Sequence, residues 1–165
     1  MADTVLLHPN RDKSESKATR AVVVLLLMVS AVLILIITLG GWSVLQGAQV
    51  VSFAFVILYL VMAYFIWRWS RGLLPVAAAL AVLMAVFAAV AAPAWFERDK
   101  DGLVDPALES ALLGLLTIIL IPVSLLLVVS ALRGFQQQWH VEVELSADDA
   151  ERHRRGDGGG QLQTA

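Results

Sequence analysis

Between Leu73 and Ala92 the chain runs for twenty residues without a charged side chain. At about 1.5 Å per residue, a helix of that length covers about 30 Å, the thickness of a bilayer's hydrocarbon core. Its small residues are ordered. Ala77, Ala81, Ala85, Ala88 and Ala92 recur at spacings of four, four, three and four, which places them in one narrow stripe of a helix. Val76, Leu80, Leu83, Phe87 and Val90 fall on the opposite side. A face of bare methyl groups lets a neighbouring backbone come close. That is how helices pack in lipid, where no hydrophobic force draws one to another. These five alanines are the candidate helix-packing residues.

Three more apolar runs, residues 21–39, 50–67 and 110–132, are long enough to span. A composition of 59% apolar residues with a mean hydropathy of +0.77 is too high and too blocky for a soluble domain of 165 residues. The expected fold is an all-α membrane protein, four transmembrane helices in an antiparallel bundle with short soluble tails. Residues 1–20 read as a basic cytoplasmic tail, 21–133 as the transmembrane domain and 134–165 as a second cytoplasmic tail, with a disordered composition from about 156. A secretory leader competes for the first run. That run is longer than the usual ~7–15 residues and has a long polar lead, so it is read as a retained span.

The connections support the hairpins. Gly40-Gly41-Trp42 ends the first run, and the basic turn Arg68-Trp69-Ser70-Arg71-Gly72 is too short for anything but an antiparallel return. Pro75 lies in the first turn of the third span, where a missing N–H costs little, and Pro93 is expected to end that helix. Pro122 predicts a kink in the fourth span, which Arg133-Gly134 closes. Beyond it, His140 to Leu145 alternates at period two, a strand pattern with Val141, Val143 and Leu145 on one side. An extended segment of this kind can dock on another sheet edge or lie against the membrane. Ser146 is placed to cap a short helix through Arg155.

Charge sets the expected orientation. Arg11, Lys13, Lys17 and Arg20 precede the first span, Arg68 and Arg71 fill the second turn, and Arg133 abuts the fourth span. The opposite side offers only Arg98 and Lys100. The positive-inside rule then puts both termini in the cytoplasm of a multi-pass inner-membrane protein. Trp42 and Trp95 read as markers of the outer interface, and Trp67, Trp69 and Trp139 of the inner one, at headgroup depth.

Residue type excludes several functions. The chain has no cysteine, which removes disulfides, thiolate metal sites, iron–sulfur clusters and thiol redox chemistry. Ionisable residues inside spans are the usual mark of pumps and relays. The first three spans have none, and Glu109 at the start of the fourth reads as a partner of the helix dipole, worth about 0.3–1 kcal/mol. His8, His140 and His153 all lie outside the spans, so bis-histidine haem ligation within the membrane is excluded, and Met28, Met62 and Met84 read as filler. No histidine is placed to activate Ser52, Thr117, Ser124 or Ser130, which are expected to bond backbone or a neighbouring helix, as are Tyr59 and Tyr64.

The loop from Glu97 to Asp105 partly resembles an EF-hand calcium loop, with oxygens at Glu97, Asp99, Asp101 and Asp105 and Gly102 at the sharp turn. It departs where the ion is held hardest. The first position is Glu97 rather than Asp, the twelfth is Leu108 rather than a bidentate Glu, and both flanks enter the membrane. A solvated acidic loop without metal is the expectation.

What remains is a small non-catalytic membrane protein without cofactor, a structural or accessory component packing with other membrane helices. Its partners are then the bilayer and other membrane chains or further copies of itself, with no nucleic acid. Two rival readings are an oligomeric small transporter or channel subunit, its path lined by Ser, Thr, Tyr and backbone, and a sensor whose outer acidic loop takes a cation. The orientation is directly testable, because the native chain has no cysteine background. Ser43→Cys should react with an impermeant thiol reagent applied outside intact cells, and Ser14→Cys should not; labelling of Ser14→Cys from outside would reverse the charge argument.

Overall fold

The structure, a computed structural model, describes residues 4–7, 13–98, 105–137, 139 and 143–146. Four α-helices carry the chain back and forth: α1 (Ser14–Gly40), α2 (Ala48–Trp67), α3 (Leu74–Phe96) and α4 (Ser110–Gln136). All four are long and apolar enough to cross a membrane. The protein is therefore an all-α integral membrane protein built on a four-helix bundle. A short 3₁₀ turn, Arg71–Leu73, leads from the α2 turn into α3.

The helices overrun the apolar runs at most ends. α1 starts at Ser14, inside the basic segment, because Lys17 and Arg20 are good helix formers and Glu15 suits the positive N-terminal end of the dipole. α3 continues through Pro93 to Phe96 instead of stopping at the proline. One missing N–H in the last turn breaks one bond, while Pro93's own carbonyl still accepts from Glu97 N at 3.2 Å. α4 likewise passes Arg133-Gly134 and ends at Gln136, and it runs continuously through Pro122. Glu109 stands directly before α4, with no side-chain capping bond of its own.

The packing order differs from the order along the chain. α3 lies along α4, α4 against α1, and α1 against α2, whereas α2 and α3 scarcely meet although the shortest turn joins them. The alanine stripe accounts for this. Ala77, Ala81, Ala85, Ala88 and Ala92 are all buried, while Val76, Leu83, Phe87 and Val90 on the other side are exposed. Methyl groups allow α3 a close approach to α4, and the bulky residues of α3 hold its remaining faces away. Leu80 is an intermediate case, partly buried against the main core.

The core runs through the middle of the bundle. Val23, Leu27, Tyr59, Ile66, Leu74, Ala77, Ala81, Leu127 and Ala131 lie within it, and Trp139 closes one end. A smaller cluster of Val44, Trp95 and Leu113 closes the other. Trp95 fits there because Gly41 has no side chain: a Cβ at that position would collide with the Trp95 ring.

Outside the bundle, the termini pair. β1 (Thr4–Leu7) and β2 (Val143–Ser146) form an antiparallel two-stranded sheet, with Thr4 opposite Ser146 and Leu7 opposite Val143. The alternating segment near the C-terminus is thus a strand, starting at Val143, and its partner is the chain's own N-terminal segment. Ser146 belongs to that strand. The helix expected after it, the glycine-rich end and most of the acidic loop lie outside the described residues.

The buried stripe can be tested against its opposite face. Ala81 is 0% exposed and Leu83 is 42% exposed. Ala81→Leu should destabilise the purified protein in detergent by about 1–3 kcal/mol through overpacking. Leu83→Ala should melt close to the parent, since acyl chains refill the volume. Parent-like melting of Ala81→Leu with collapse of Leu83→Ala would mean that α3 faces the other way.

Candidate functional site

The two ends of the bundle are built differently. At the end holding the α2–α3 turn, side chains lock the helices together. Arg20 on α1 donates from Nη1 to the Trp67 carbonyl at 3.0 Å. Its guanidinium carbon lies 4.5 Å from the Trp67 ring centroid and 4.1 Å from that of Trp69. Trp69 stands edge-on to Trp139 with centroids 5.3 Å apart. Trp139 donates from Nε1 to Gln137 Oε1 at 3.2 Å, and Gln137 donates from Nε2 to Thr19 Oγ1 at 2.9 Å. Arg71 closes the turn against α4, donating from Nε to the Phe135 carbonyl at 2.8 Å. Gly134 leaves room for the assembly, since a Cβ there would sit 3.3 Å from Leu74, Thr19 and Trp139.

This clasp explains one backbone feature. Trp69 has φ 69°, a left-handed conformation that costs a non-glycine residue on the order of 1 kcal/mol or more. Contact of its ring with Arg20 on its face and Trp139 edge-on offsets that cost and holds the turn closed.

The clasp also shows what the tryptophan rings lie against. Trp139 is 0% exposed and Trp95 is 5% exposed, and Trp69 is only partly accessible. These three pack against protein. Trp42 and Trp67 alone stand out from the bundle, at 52% and 55% exposure. The five still sort to two ends, as expected, but an indole can end a helix by filling its own bundle as well as by facing lipid.

At the other end α2 and α3 part, leaving a half-open lateral cleft of about 360 Å³. Its floor is α1 and α4, with Thr38, Thr117 and Leu120; its walls are α2 and α3, with Val51, Ser52, Phe55, Phe87 and Ala91. Toward the middle of the bundle the gap is bridged. The Phe55 and Phe87 rings meet edge-on at 6.0 Å, and Tyr59 Oη donates to the Leu80 carbonyl at 3.4 Å. Toward the end of the bundle the lining passes the buried Val44 and Trp95 to the part-exposed Arg98.

The cleft is apolar inside. Thr38 donates to the Ile34 carbonyl at 2.7 Å, Thr117 to the Leu113 carbonyl at 2.7 Å and Ser52 to the Ala48 carbonyl at 3.1 Å, so each hydroxyl proton is taken by its own helix. Among the described residues Arg98 is the one charged member of the lining, its guanidinium 5.9 Å from the Trp95 ring. An apolar slot with one polar rim has the shape of a binding site.

The residues singled out from sequence are scattered. Of the alanine stripe, Ala88 reaches the cleft as well as the core, and the other four are buried elsewhere along α3. Ser124 and Ser30 are fully buried with no hydrogen-bond partner for their hydroxyls. Tyr64 is exposed and accepts from Arg68 Nη1 at 3.1 Å, near the clasped end. No shared polar path joins these groups. The cleft had no sequence signature, because it arises where two helices fail to touch. Compared with known proteins, the chain matches no family model, no curated protein and no solved structure.

The clasp makes its own prediction. Arg20→Ala removes two cation–π contacts and a charge-assisted hydrogen bond, and should lower stability in detergent by about 1–3 kcal/mol. Arg20→Lys keeps the charge but not the planar stack, so it should fall between the two. Equal melting of Arg20→Lys and the parent would leave charge alone, without stacking, as the holding force.

Proposed function

We propose that this chain is a non-catalytic structural or accessory component of the cell inner membrane, both termini cytoplasmic, that associates sideways with other membrane helices. The observation that carries the reading is the position of α2. It packs along its length against α1 alone, as α3 does against α4, so it is an edge helix with its outward side uncovered. Val50, Ile57 and Val61, at 75%, 59% and 46% exposure, recur at spacings of seven and four and form one stripe of that side. Residue content supports the same reading. Residues 21–67, 72–96 and 110–132 contain no Asp, Glu, Lys, Arg or His, so acid–base chemistry and charge relay have no groups to run on at membrane depth.

Photo-crosslinking residues placed singly at Ile57 and Val61 test the proposal in native membranes, with Val90 on α3, 74% exposed, as the control. The α2 positions should give discrete protein adducts of defined mass, and Val90 should give lipid adducts only. If all three give lipid adducts only, and the extracted particle has the mass of one chain, the accessory reading is lost. Solute or ion flux through liposomes holding the purified chain would replace it with the transporter reading.

A further inference from the structure

We propose that the lateral cleft between α2 and α3 is a binding site for one acyl chain of a zwitterionic phospholipid, its phosphate held at Arg98. This site is separate from the outward stripe of α2 and does not depend on the accessory role. Length decides between the candidate occupants. From Phe87, where the aromatic bridge closes the slot, to Phe96 at the end of α3 is nine residue steps, about 14 Å at ~1.5 Å each, with Arg98 in the turn that follows. That is about half of a hydrocarbon core of ~30 Å. A transmembrane helix would need the full depth, and the Tyr59 to Leu80 hydrogen bond and the Phe55–Phe87 contact stand across its way. An acyl chain of one leaflet has the required length and ends where the slot ends.

Chemistry agrees with length. The occupant must be apolar along its body, because the threonine and serine protons in the slot are already donated to backbone. It must be polar at one end only, where Arg98 stands at the mouth. A guanidinium offers paired N–H donors to phosphate oxygens. Glu97 beside Arg98, and Asp105, whose carbonyl accepts from Ser43 Oγ at 3.3 Å, place carboxylates at the same end of the bundle. They oppose a headgroup of net negative charge and suit one that carries its own ammonium. A zwitterionic headgroup meets both demands.

The test is native mass spectrometry of the full chain in mild detergent, titrated with phosphatidylethanolamine or phosphatidylglycerol. The parent should retain one phosphatidylethanolamine, and hold phosphatidylglycerol several-fold less. Arg98→Gln should weaken retention roughly tenfold, the scale of one charge-assisted contact. Ala91→Phe, on an exposed position of the cleft wall, should fill the slot and abolish retention without lowering the melting midpoint. Should Ala91→Phe fail to fold, Val51→Phe fills the slot from the opposite wall. A parent that binds no lipid, or slot-filling variants that keep it, would overturn the proposal. Tighter phosphatidylglycerol than phosphatidylethanolamine would overturn the headgroup assignment. Dimers of the parent dissolved by the slot-filling variants would identify a second copy as the occupant instead.

Discussion

The close approach of α3 to α4 decides where everything else goes. In lipid the gain from burying a helix face comes from contact and fit, so the face that lets two backbones come nearest wins the partner. On α3 that face is the alanine stripe, buried from Ala77 to Ala92. Committing it to α4 turns Val90 outward, leaves Phe87 to reach across to Phe55, and separates α3 from α2, its neighbour in sequence, over most of their length. α2 then has only α1 to lie on. The open cleft and the uncovered edge helix are two consequences of that one choice.

The bundle itself was legible because lipid makes composition and length decisive. Four uncharged runs near twenty residues, separated by short turns, admit few other folds. Their ends were less legible. Hydropathy marks where a helix is apolar, not where its backbone bonds stop, so α1 begins at Ser14 within a polar stretch and α3 outlasts Pro93. The strand pattern near the C-terminus was readable by its alternation, but its partner was not. Thr4–Leu7 is a four-residue element, too short to show a period, and register against a distant segment leaves no local trace.

The tryptophans and the cleft show a different limit. Composition alone cannot separate an indole that faces headgroups from one that seals a bundle, since both sit at helix ends and both want one wet edge. Trp139 and Trp95 are sealing residues, and what separates them from Trp42 is a tertiary fact: what lies against the ring. The cleft is more remote still from sequence. Periodicity identifies faces that bury, and a slot is made by faces that do not. Arg98 was readable only as a loop charge, and its proposed ligand role comes from the position of Phe87 and Phe55 below it.

The contrast between the two ends follows from the same packing. α2 and α3 are tied at the turn by Arg20, Trp69, Trp139 and Arg71, and joined at mid-depth by the Phe55–Phe87 contact and one hydrogen bond. Beyond that bridge no helix face fills the gap between them. Separating the clasped end breaks cation–π contacts and charge-assisted bonds, each worth on the order of 1 kcal/mol or more. Widening the cleft costs at most the Phe55–Phe87 contact and that one hydrogen bond, and exposes side chains that already line it. Any displacement of α2 relative to α3 therefore costs least as a swing about the clasped end, changing the width of the slot while the buried alanine contact between α3 and α4 stays intact.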